Sequence, residues 1–190
     1  MGSFSIWHWL IVLVIFGGIG WLVFSSRNKV ATATGEPAGF GGWLILPMIG
    51  QTVAPIKTLA GVAETAKAYD QYGSVPGAQV ASYGEGALTF AYLALQVVTL
   101  IAMYRKSRLF PKLFLYQWLA IPVYLTLDAL VVSLSLGVSV DQLYGQAEIA
   151  AAVTPFVAAG LWVLYMFKSV RVRNTFVRGR SFGDVVVEPR

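Results

Sequence analysis

The chain has no cysteine, a single histidine, and only 12% charged residues. Without a thiol there is no disulfide, no thiolate nucleophile and no thiolate-bound metal. One histidine, His8, falls short of the three or four ligands a metal site needs, and its place between Trp7 and Trp9 fits a membrane interface. No cofactor is expected. Catalytic signatures are missing too: there is no H-E-x-x-H, no G-x-x-x-x-G-K-[ST] and no G-x-S-x-G. An intramembrane aspartyl protease needs two facing acids, whereas Asp128 is the one acid deep in an apolar run. The expectation is therefore a protein that is not an enzyme. Soluble domains carry about 25% charged residues, so half the usual solvated surface is absent.

What the chain has instead is apolar length. Five runs, Ile6–Phe24, Gly42–Val62, Ala87–Tyr104, Leu113–Leu136 and Ala147–Phe167, each come close to the roughly 20 residues that span a bilayer as a helix. The expected fold is all-α: a polytopic membrane protein with five transmembrane helices, one N-terminal anchor plus a four-helix bundle. The corresponding organisation is an anchor (1–26), a cytoplasmic linker (27–41), a four-helix membrane domain (42–178) and a cytoplasmic tail (179–190). The longest segment outside the bilayer, Ala63 to Gly86, is too short for a core of its own. Its Tyr69, Tyr72, Gly73, Pro76, Gly77 and Tyr83 predict turns lying on the membrane surface. Pro47 and Pro55 predict kinks in the second span.

Charge sets the orientation. Arg27 and Lys29 follow the first run; Arg105, Lys106, Arg108 and Lys112 lie between the third and fourth; Lys168, Arg171, Arg173, Arg178, Arg180 and Arg190 follow the fifth. Five crossings put all of these on one face, and only Lys57 and Lys67 remain for the other. The positive-inside rule then places the N-terminus outside and the basic tail in the cytoplasm, as expected for a bacterial inner-membrane protein. Ala31-Thr32-Ala33 has the look of a cleavage site, but no positive charge precedes the first run, so the reading is an uncleaved anchor. Ile6 stands where a myristoylation signal requires Ser or Thr.

Polar residues inside the runs keep helical spacing. Thr89, Tyr92, Gln96 and Thr99 share one face of the third, and Gln117, Tyr124, Asp128 and Ser135 share one face of the fourth. These stripes are either interhelical glue or the lining of a path for an ion or small solute. A carboxylate near mid-membrane costs about 2.5–3.5 kcal/mol on insertion scales, so Asp128 needs a partner. Lys57 is the candidate, because both residues lie about 24 Å along helices that start from the basic side. The alternatives are that Lys57 snorkels alone to the outer interface and that Asp128 relays protons. Gly17, Gly18 and Gly20 form a small-residue patch that admits close approach of another helix; Ala151, Pro155 and Ala159 do the same in the fifth run.

The basic segment after the fifth run supplies candidate contacts to anionic lipid, Lys168, Arg171, Arg173 and Arg178, or it simply anchors the topology. Nucleic acid is not an expected partner, since the cluster abuts the membrane and carries no recognition motif. The lipid bilayer is the expected partner, with other membrane subunits as a further expectation. Three functions stay open: an accessory or assembly component of a membrane complex; a small transporter or channel using Gln96, Gln117, Tyr124 and Asp128; and a membrane enzyme or lipid-handling protein using Tyr69, Tyr72 and Tyr83.

Several residues carry a family likeness. Gly39-Phe40-Gly41-Gly42-Trp43-Leu44-Ile45-Leu46-Pro47 with Gly50 and Pro55, then Arg108-Leu109-Phe110-Pro111-Lys112-Leu113-Phe114, then Leu161-Trp162, Tyr165, Ser169, Arg171-Val172 and Thr175-Phe176-Val177 follow one another in order. Over residues 39–178 the chain resembles a bacterial integral-membrane family known as domain of unknown function family 2569, which also has an acidic residue at the place of Asp128. The resemblance implies a four-helix inner-membrane unit and supplies no catalytic residue. Separately, Phe4-Ser5-Ile6-Trp7-His8-Trp9-Leu10 resembles the leader of the small twin-arginine translocase subunits. Those continue into a hinge and a long amphipathic helix, where this chain has Gly17-Gly18 mid-run and an Ala/Thr/Gly linker.

Overall fold

The computed structural model describes residues 35–71, 74–143 and 145–177. A 3-10 turn at Gly42–Leu44 leads into α1 (Ile45–Gln71), followed by α2 (Ala78–Tyr104), α3 (Phe110–Leu136), the short α4 (Val140–Leu143), α5 (Gln146–Lys168) and α6 (Val170–Thr175). The described residues contain no β-strand. Four stretches are long and apolar enough to cross a membrane: Gly42–Gln71, Ala78–Tyr104, Phe110–Leu136 and Ile149–Lys168. The expected first span, Ile6–Phe24, lies outside the described residues.

Burial runs opposite to that of a soluble domain. Gln51, Gln96, Thr99 and Gln117 are buried, while Val53, Phe90, Val123, Val157 and Leu161 are exposed. Only 6% of the apolar window of α3 is buried, so most of its hydrophobic surface needs a lipid-like solvent. Hydroxyls on exposed residues bond back to their own helix, Thr126 to the Pro122 carbonyl at 2.8 Å and Thr154 to that of Ala150 at 3.0 Å. That satisfies them where no water is available.

The expected surface turns between Ala63 and Gly86 are largely helix. α1 continues to Gln71 and α2 begins at Ala78, so Tyr69 and Tyr83 are helical, while Tyr72 lies outside the described residues. At 27 residues each helix is about 40 Å long, against roughly 30 Å of hydrocarbon, so the charged turn with Glu64, Lys67 and Asp70 projects beyond it. α1 runs unbroken through both prolines: Pro47 is in its first turn, where the missing N–H has no partner to lose, and Pro55 is interior.

Small residues set the α2–α3 contact at the end away from the basic hairpin. Ala78 and Ala81 are buried, and a methyl at Gly84 would collide with Val131 Cγ1. A methyl at Gly77 would overlap the Ser135 carbonyl oxygen, and Gly77 has φ of 84°. At the basic end α2 closes with paired bonds, Ser107 N–H to the Ala102 carbonyl and Lys106 N–H to that of Met103, both 2.9 Å. Lys106 occupies the left-handed position usually given to glycine, at φ 52°. The apolar core also gathers here: Leu44, Met103, Phe110, Met166, Val172 and Phe176 form one cluster.

Candidate functional site

A polar seam joins α1, α2 and α3. Gln51 donates to Gln117 Oε1 at 3.0 Å and accepts from Gln117 Nε2 at 3.1 Å, a reciprocal amide pair. The Gln51 amide also donates to the Gln96 carbonyl at 3.2 Å, and Thr58 donates to Gln96 Oε1 at 2.9 Å. Thr52 and Tyr104 hydroxyls meet at 2.9 Å on the basic side of this cluster. Farther along, Thr89 and Tyr124 hydroxyls are 3.0 Å apart, and the Tyr92 and Tyr124 rings lie 5.5 Å apart. Thus α1, α2 and α3 are stitched at several depths, which in a bilayer favours association over separation by about 1–2 kcal/mol per good hydrogen bond at most.

The seam ends in acids. Tyr69 on α1 donates to Glu85 Oε1 on α2 at 3.0 Å. Asp128 on α3 is half-buried and close enough to Glu85 and Tyr124 to act on both electrostatically. Lys57, its expected partner, is exposed on α1. It sits off the face that carries Pro47, Gln51 and Pro55 into the interior. The structure therefore brings Gln96, Gln117, Tyr124 and Asp128 onto one seam, in company the sequence reading missed: Gln51, Thr52, Thr58 and Glu85. Gln51 and Thr58 are seven residues apart, the same two-turn spacing that marked the stripe on the fourth run. Glu85 looked like a loop acid because the loop was drawn too long.

The second cluster is a knot at the basic end. Arg171 is 8% exposed, donates to the Ala38 carbonyl at 3.3 Å and lies against Gly42, where a Cβ would stand 3.5 Å from Nε. Thr175 donates to the Arg171 carbonyl at 2.6 Å and reaches the Gly39 carbonyl at 3.3 Å. Asn174 donates to Glu36 Oε2 at 3.1 Å. The Phe176 ring lies tilted against Phe110 at 4.5 Å and edge-to-face with Phe40 at 6.1 Å, and the Lys106 ammonium sits 5.3 Å from the centre of the Phe40 ring. Of the expected lipid contacts, Lys168 and Arg173 are exposed, Arg171 is turned into the protein, and Arg178 lies outside the described residues. The guanidinium suits this inward place because its planar fork of donors is more weakly hydrated than an ammonium and can reach the Ala38 carbonyl while lying flat against Gly42.

Among the described residues no group of three His, Cys, Asp or Glu is arranged to hold a metal. Every buried side-chain nitrogen or oxygen among them has a hydrogen-bond partner. The arrangement is that of a multi-pass helical membrane protein, apolar outside, polar along one internal seam, and knotted at its basic end by the segments that flank the spans.

The family model described as "Protein of unknown function (DUF2569)" matches residues 37–177, and the chain belongs to that family. The stretches around Gly39–Leu44, Phe110 and Arg171–Phe176, distant in sequence, are adjacent here. Among curated proteins, the chain is 50% identical over 38 residues to the Sec-independent protein translocase protein TatA of Phenylobacterium zucineum, covering 20% of this chain and 49% of that protein. It is 53% identical over 38 residues to TatA of Agrobacterium fabrum, covering 20% and 47%. The chain thus spans about half the length of the curated relatives it matches. No solved structure matches.

Proposed function

We propose that this protein is an accessory or assembly component of a membrane complex in the bacterial inner membrane, without enzymatic activity of its own. In this reading the basic hairpin and α6 face the cytoplasm and the N-terminus lies outside, as the charge distribution favours. The observation that supports this reading over a conduit is that the buried side-chain nitrogens and oxygens among the described residues are all hydrogen-bonded, as glue between helices would be. The exposed Lys168 and Arg173 would rest on anionic headgroups, each contributing about 1 kcal/mol. The likeness to TatA covers a fifth of this chain and about half of that protein, so the activity of a translocase is not carried over to this chain.

The test is affinity purification of the full chain in mild detergent, with identification of co-purifying membrane subunits. Stoichiometric partners support the proposal; recovery of this chain alone, under conditions that preserve known complexes, overturns it. A second reading, a small transporter or channel, draws on the Tyr69–Glu85–Asp128–Tyr124 group at the end of the seam. Proton- or cation-dependent uptake into vesicles that is lost in Asp128→Asn would establish it in place of the first.

A further inference from the structure

An apolar cleft of about 1030 Å³ opens between α3 and α5, lined by Pro122 and Leu125, by Val153 and Phe156, and by Val140 and Leu143 of α4. No charged residue lines it, so it selects no particular occupant. The outer face of α1 is different. Gly50, Val53, Lys57, Ala60 and Glu64 are all exposed and follow one another in steps of three and four, a single stripe along the helix. Buried Gln51 and Pro55 sit about 200° round the axis from Val53 and Lys57, so the stripe faces away from the bundle. Lys57 is out of place there. Trp43, 60% exposed, marks the basic-side interface, and Lys57 lies fourteen residues beyond it, about 21 Å into about 30 Å of hydrocarbon. Helical side chains leave their Cα toward the helix N-terminus, which for α1 is the basic side. The lysine stem therefore sets out away from the nearer headgroups, about 9 Å beyond its Cα, and over the turn of Val53 and Gly50. Among the described residues Lys57 has no hydrogen-bond or ion-pair partner.

We propose that this stripe docks a transmembrane helix of another subunit, and that an Asp or Glu of that helix pairs with Lys57. The proposal rests on the accessory role above and names the face through which it is exercised. A carboxylate at this depth relieves the cost of a lone ammonium in lipid. A methyl at Gly50 would meet nothing within 4 Å, so the backbone that carries the acid can come close beside the lysine stem. A second copy of this chain does not fit: a two-fold contact along α1 would set Lys57 against Lys57 at one depth. The chain's own apolar run, Ile6–Phe24, contains no Asp or Glu. Glu64 lies seven residues farther along α1, about 10 Å, level with the outer headgroups where water reaches it. Lys57 is thus the charge on the stripe that lipid alone does not satisfy.

The test uses the full chain in native membranes, with a photoreactive phenylalanine analogue at residue 56. Ile56 is exposed on the flank of the stripe, so the probe does not occupy the docking face itself. Irradiation is expected to give an adduct with one other polypeptide, retained in Lys57→Arg and reduced at least about tenfold in Lys57→Leu and Lys57→Met. Peptide mapping should place that adduct in an apolar span containing an Asp or Glu. Lys57→Asp should lose the adduct, and changing the identified acid to lysine should restore it. An adduct that survives both neutral variants, a cross-linked span without an acid, failure of the charge swap, or adducts confined to lipid or to a second copy overturns the proposal. Phe90, comparably exposed on α2 at similar depth, is the second probe site. A polypeptide captured there but not at residue 56, or a subunit that co-purifies without an adduct at residue 56, overturns this face and leaves the accessory role standing. Recovery of the chain alone, with no polypeptide adduct at either site, overturns both.

Discussion

Against α1 and α2, helix α3 is held along much of its length: a glutamine pair with α1, a hydroxyl pair and a glycine-to-carbonyl contact with α2. Against α5 it is held where Trp118 stacks on Phe156, beyond which the two helices diverge around the cleft. In a bilayer there is little hydrophobic drive for helices to associate, so close packing and hydrogen bonds must do it. Where the sequence supplies small residues and amides the helices close, and where it supplies two prolines and large aliphatics they part. The knot around Arg171 ties both sides together at the basic end.

Four sets of substitutions would break or sharpen this contrast. The largest effect is expected from Gly77→Ala, which adds a methyl at positive φ onto the Ser135 carbonyl. It should destabilise by about 3 kcal/mol or more in detergent melts, with Gly86→Ala, which meets open space, near neutral. A neutral Gly77→Ala would mean the α2–α3 contact is looser than described. Arg171→Ala should cost about 2–3 kcal/mol by stranding the Ala38 carbonyl, while Arg173→Ala, exposed on the same helix, stays within about 0.5 kcal/mol. Equal losses would remove the distinction between the buried and exposed arginines. Gln51→Leu and Gln117→Leu should each cost about 1–2 kcal/mol, and the double variant less than their sum, because one change leaves the other amide unpaired. Strict additivity would dissolve the seam. Smallest is Trp118→Phe, which keeps a ring over Phe156 but loses the indole bond, at about 1 kcal/mol. A loss rivalling Gly77→Ala would show that the α5 side is the better held of the two.

The spans were legible because the bilayer imposes a length: the four runs from Gly42 onward reappear as α1, α2, α3 and α5. Their outer ends were not. Glu64, Lys67, Asp70 and Glu85 read as loop residues by charge, yet a helix that has left the lipid keeps its hydrogen bonds in water as well. The two stripes, one with Gln96 and the other with Gln117 and Tyr124, were visible from spacing, and all three residues lie in the seam. Its third strand of contacts, from Gln51 and Thr58, was overlooked among apolar neighbours. Arg171 could not be told from Arg173 by position after a span, since what separates them is about half a turn of α6 and the carbonyl of Ala38.

By itself, then, the sequence determined which stretches dissolve in lipid and which carry the basic charge, because transfer free energy is a local property summed over about 20 neighbouring residues. Only the tertiary structure decided which polar groups meet, which arginine turns inward, and where α3 and α5 part. Those outcomes depend on residues such as Gln51 and Gln117 or Gly42 and Arg171, far apart along the chain, whose partnership no local sum contains.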